Sequence, residues 1–167
     1  MRAMRRILLV LLALVALFLG IRALVHALAS EDTKIRWLLE DMTEGFNDTR
    51  MNPILRGLGA EFTDDGSGAH KADVRAGLAR LFLQRKDPQT KKFPYRAAIA
   101  PEGFTVSVHE GETPSAEAEF VLVIEESAGE EWHAAWKARV KAQLGCDSGD
   151  WLLARTRVDT LEGRPLR

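Results

Sequence analysis

A chain of 167 residues, 46% hydrophobic and 28% charged, is long enough for one domain with a real core and too short for two beside an N-terminal export segment. Its net charge of -1 gives no electrostatic case for a nucleic-acid partner. The single cysteine, Cys146, excludes an internal disulfide and a cysteine-rich zinc site, and reads as a small residue in a hairpin loop.

Residues 1–30 open with Arg2, Arg5 and Arg6 and continue into an apolar run from Ile7 to Ile21, the layout of an export signal or a membrane anchor. At ~1.5 Å per residue the run reaches ~22 Å, short of a ~30 Å hydrocarbon core, but extension through Leu28 gives ~33 Å. That extension carries Arg22 and His26 near its outer end, where Arg22 can snorkel. The rival is a cleaved signal peptide, because Ala27-Leu28-Ala29 before Ser30 has the small-x-small form of a cleavage site. Arg22, which would interrupt the cleavage region, favours the uncleaved anchor. Both readings keep the arginines in the cytoplasm and place residues 31–167 beyond the inner membrane, tethered there by a single pass or secreted.

From Glu31 to Phe46, Ile35, Leu38, Leu39, Met42 and Phe46 recur every three or four positions, which predicts an amphipathic helix. Asn52 as N-cap and Pro53 at the first helical position predict a short second helix kept short by Gly57 and Gly59. After the polar turn Thr63 to Asp73, Val74, Leu78, Leu81 and Phe82 mark a third helix that ends before Pro88. Beyond Lys92 the period changes to two, and five alternating segments separated by turn residues predict an antiparallel sheet. Helices followed by strands indicate an α+β domain with three N-terminal helices packed on one face of that sheet.

The strand "EWHAAWKARVKAQL" sets the faces. Strict alternation puts Trp132, Trp136, Ala138, Val140, Ala142 and Leu144 on one side and His133, Lys137, Arg139 and Lys141 on the other. Burying an indole is worth up to roughly 4–6 kcal/mol, against ~0–1 for an exposed ion pair, so the Trp face should look inward. Glu117, Glu119 and Glu125 on the preceding strand are then expected to pair across strands with the basic face, interrupted by a small Val121 and Val123 patch. A solvated sheet suffices for this face; a homodimer through it is the alternative.

The element order, with "ILRGLGAEFTDDGSGAHKADVRAGLARLF" as second helix, loop and third helix and "DWLLARTRV" as last strand, resembles the nuclear transport factor 2-like (NTF2-like, SnoaL-like) superfamily. The resemblance covers about Thr33 to Leu161 and implies a cone with a curved antiparallel sheet. Its enzymes use a buried carboxylate with a Tyr or a second acid inside the cone; others bind ligands or assemble. Here Tyr95 is the only tyrosine and the inferred inner positions are mostly apolar. Alternation places Trp151, Leu153, Arg155, Arg157 and Asp159 together, either at a pocket mouth lined by Arg155 or where the strand leaves the core. His70, His109 and His133 lack ligand spacing, so no metal is expected, and no cofactor motif occurs.

These residues predict a membrane-tethered, non-catalytic domain that binds a small apolar ligand or a protein partner, with Trp132, Trp136, Trp151, Tyr95 and Arg155 as candidate ligand contacts. One alternative is a SnoaL-like isomerase or hydrolase using Asp159 or Asp64 with His109 or Arg155. Another is an assembly component of an envelope complex.

Overall fold

Apolar positions at helical spacing close the first helix, α1, over Glu31–Asn47, with Ile35 and Leu39 turned into the core. The computed structural model describes residues 11, 12, 14, 29–87, 91–129 and 131–166. Among these no helix is long and apolar enough to cross a membrane. The expected anchor lies outside the described residues except for Leu11, Leu12 and Leu14, which are helical and exposed.

The second helix, α2, is Met51–Arg56, with Arg50 rather than Asn52 at its N-cap. Pro53 is buried against Gly45 of α1, where a Cβ would stand 2.9 Å from its own. The third helix, α3, is Lys71–Gln84, and the Asp73 carboxylate accepts the His70 backbone N–H at 2.9 Å to close its first turn.

Between α2 and α3 runs a strand that alternation did not disclose, β1, Leu58–Asp64. It pairs parallel with the last strand, so the sheet is mixed and the helices do not all precede it. Only Leu58 and Phe62 of this strand are buried, because its register with the partner is irregular between Leu58 and Thr63. In the sequence Leu58, Ala60 and Phe62 alternate with Gly59, Glu61 and Thr63, but Leu58 also continues the helical spacing of Ile54 and Leu55, which masks the strand.

The other strands lie where alternation puts them: β2 Tyr95–Ile99, β3 Thr105–His109, β4 Ser115–Ala128, β5 Glu131–Asp147 and β6 Asp150–Gly163. The order is β1-β6-β5-β4-β2, with β3 paired to the same edge of β4 as β2. Phe120, Val140, Leu144 and Leu153 on the inner face meet Ile35 and Leu39 in one core.

Strict alternation fails at three bulges. Ile124 pairs with Trp136 but Glu125 with Ala134, which leaves Ala135 as an extra residue. Gln143 pairs with Arg155 but Leu144 with Leu153, leaving Ala154; Lys137 pairs with Glu162 but Ala138 with Thr160, leaving Leu161. Each extra residue bends the strand and reverses which side chains face inward beyond it. Trp136 to Leu144 keep their expected phase. Trp132 falls on the outer face, and Arg155, Arg157 and Asp159 turn outward while Thr156 and Val158 turn in.

The outer face closes its own ion pairs: Glu119 with Arg139 at 3.3 Å and Lys141 at 3.9 Å, Lys137 with Glu162 at 3.1 Å, and Arg96 with Glu125. Such exposed pairs contribute ~0–1 kcal/mol each and leave the basic side chains of β5 as a solvated surface.

The free edge of β2 is held by Asn47 at the end of α1. Its amide nitrogen donates to the Ala97 carbonyl at 3.0 Å and its amide oxygen accepts the Ala97 N–H at 2.6 Å. Asn47→Ala leaves both backbone groups of a buried residue without these partners. A loss of about 1–3 kcal/mol is expected, measured by urea unfolding followed by Trp fluorescence.

Candidate ligand cavity

Curvature leaves the inner face of the sheet unable to close fully on α1 and α3. The gap is a cavity of about 400 Å³. α1 lines it with Leu39, Met42 and Phe46, and α3 with Val74, Leu78 and Leu81. Phe120, Ile124, Trp136 and Val158 form the sheet wall, and Pro165 and Leu166 of the chain's last described residues lie across one end.

The few polar groups in this lining are engaged elsewhere. The Thr43 hydroxyl donates to the Leu39 carbonyl at 2.7 Å, and the Thr156 hydroxyl to the Asp64 carboxylate at 3.0 Å. The Trp136 indole N–H donates to the Thr160 hydroxyl at 3.1 Å. No acid, base, histidine or tyrosine is among the lining residues. The arrangement presents an apolar lining to any body that enters it, and its side chains include no acid or base to move a proton.

A second space, of about 480 Å³, adjoins it beyond the tail and is lined by Arg85, Tyr95, Arg164, Pro165 and Leu166. The rings of Phe46, Phe82, Phe93 and Tyr95 pack in sequence, with neighbouring centroids 5.2–5.7 Å apart, from the apolar cavity to this space. Burial first, then a hydrogen bond to Glu126 and the charge of that carboxylate, raise the Tyr95 hydroxyl above its ordinary value; the Arg85 charge pulls the other way.

A larger cleft of about 650 Å³ lies outside the cone between α1 and the β5–β6 turn, bordered by Lys34, Trp37, Asp41, Arg56 and Trp151. Its cations are paired, Lys34 with Glu31 at 2.8 Å and Arg56 with Asp41 at 3.8 Å. With half its wall polar and charged, it offers less apolar surface to a ligand than the cone's interior.

The candidate ligand contacts are thus dispersed. Trp136 lines the cavity and Tyr95 stands at its end. Trp132 lies on the outer face with the Arg96 guanidinium 4.5 Å from its ring, displaced there by the Ala135 bulge. Trp151 is buried at the opposite end, its indole donating to Glu31 at 2.7 Å. Arg155, turned out by the Ala154 bulge, pairs with Asp65 at 3.4 Å.

The residues considered for catalysis are not gathered either. Asp159 pairs with Arg157 at 3.6 Å, Asp64 accepts from Ser67 and Thr156, and His109 is exposed at the end of β3. Among the described residues no cluster of three metal-ligating side chains occurs. Sequence reasoning missed the tail: Gly163 followed by Arg164-Pro165-Leu166 was its signal, a turn residue and then an apolar pair.

Solved structures match this geometry across most of the chain. An NTF2-like protein with a cystatin-like fold from Novosphingobium aromaticivorans is 15% identical, with a TM-score of 0.57 over 89% of this chain and 90% of that one. Two proteins from Nostoc punctiforme with a cystatin-like fold, described as of unknown function, align at 15% and 11% identity. Their TM-scores are 0.57 and 0.59, over 80% and 79% of this chain and 92% and 78% of theirs. The chain has an NTF2-like, or cystatin-like, fold. No protein-family model and no curated protein matches it. The fold by itself names no ligand and no activity.

Tyr95, the sole tyrosine, can be titrated alone by its ultraviolet absorbance. Its midpoint is expected above the ordinary ~10. In Glu126→Gln it should fall back towards that value without reaching it, since burial is the larger cause. The unfolded chain releases this proton first, so stability should decline as pH rises through ~10 and level off above the folded midpoint.

Proposed function

We propose that this chain is a membrane-held domain on the extracytoplasmic side that binds a small apolar ligand inside its NTF2-like cone. The observation that carries the reading is the apolar cavity of about 400 Å³ between α1, α3 and the sheet. That volume lies within the ~300–1,000 Å³ usual for ligand pockets. Its lining lacks a titratable group, which favours binding over acid–base chemistry.

The membrane part of the reading rests on the sequence of residues 1–30 and on Leu11, Leu12 and Leu14, helical and more than half exposed, as a helix that meets lipid would be. The protein should stay with membranes after an alkaline wash. A cysteine placed at exposed Ser148 should react with an impermeant maleimide added to spheroplasts. An intact mass lacking roughly thirty residues would instead show a cleaved signal peptide.

For the ligand, native mass spectrometry of the full chain released from its membrane should show a persistent added mass. Val158→Phe, which fills the cavity from β6, should remove it while the fold persists. Wild-type protein that is bare under the same conditions overturns the reading.

A further inference from the structure

The tail does more than end the sheet. Gly163 has φ +74°, and a Cβ there would lie 2.1 Å from the Ala135 carbonyl oxygen, so only glycine allows β6 to turn at this point. Gly163 pairs with Trp136, and the turn thereby lays Pro165 and Leu166 over the end of the apolar cavity. The same two residues border the space lined by Arg85, Arg164 and Tyr95. An apolar chamber and a basic one are thus separated by two side chains.

The outer chamber is lined by charged side chains beside the Tyr95 ring. Arg85 and Arg164 bring two guanidinium groups, and the Arg85 charge is felt at the Tyr95 hydroxyl. Against them stands Glu126, paired with Tyr95 across the β2–β4 ladder and hydrogen-bonded by its hydroxyl. A wholly apolar ligand would leave this chamber unused. A carboxylate suits it, because guanidinium groups bind carboxylates through paired, charge-assisted hydrogen bonds.

We propose that the ligand is an amphiphile with an anionic carboxylate head: its apolar body fills the cone, its neck passes Pro165 and Leu166, and its head sits between Arg85 and Arg164. This rests on the reading that the cone holds a ligand, and it adds the head group and the residues that select it.

The test uses the full chain in nanodiscs of zwitterionic lipid, with two photoreactive probes, a decanoic acid and a decanol each carrying a diazirine near the chain end. Adducts on cavity-lining peptides are quantified by mass spectrometry, which separates bound probe from probe dissolved in lipid. The acid is expected to label the cavity about tenfold more efficiently than the alcohol. In the double variant Arg85→Gln, Arg164→Gln that preference should vanish while alcohol labelling stays. Equal labelling of wild type, or a preference that survives the double variant, overturns the head site and leaves the cavity reading standing. Absence of cavity adducts from both probes overturns the two together. A wild-type competition avoids dependence on the variant's folding: unlabelled decanoate should displace the alcohol probe at about tenfold lower concentration than unlabelled decanol, and equal potency overturns the proposal.

Discussion

β5 is the constraint from which the rest of the molecule follows. It is paired on both sides along most of its 17 residues, and three of the sheet's four register shifts fall in its ladders. A flat sheet could cover two helices with a filled interface. A sheet bent at Ala135, Ala154 and Leu161 curls around them and holds its inner face off the helices, and the cavity is the space this leaves.

The same bulges explain how far the sequence could be read. Element type was legible wherever one periodicity ran uninterrupted: the stripe of α1, the α3 stripe from Val74 to Phe82, and the alternation of β4 and central β5. Facing was legible only up to a bulge. Trp132 and Arg155 fall beyond such points, and each is assigned to the wrong side by counting in twos. β1 was hidden because Leu58 continues the helical spacing of Ile54 and Leu55, so the short alternation of Leu58, Ala60 and Phe62 was absorbed into the preceding helix. Of the five candidate ligand contacts, Trp136 sits in the cavity and Tyr95 at its end. Pro165 and Leu166, which also line it, follow the last strand and carry no periodic signal.

The cone's polar chemistry is spent on joints. Asp64 ties the end of β1 to Thr156 of β6 and to its own turn through Ser67, and Asn47 closes the edge of β2. Both are short polar side chains in positions where the fold leaves backbone or hydroxyl groups to be satisfied. What remains inside is apolar, and charge is concentrated on the outer face and at the tail end.

The bond from the Trp151 indole to Glu31 gives the domain a polarity along its length. Glu31 is the first residue of α1, while Phe46 and Asn47, about 25 Å further along that helix, stand by the end where the tail crosses the cavity. With its first turn tied to β6 through Glu31 and its last residue to β2 through Asn47, α1 is fastened to the sheet at both ends like a strut.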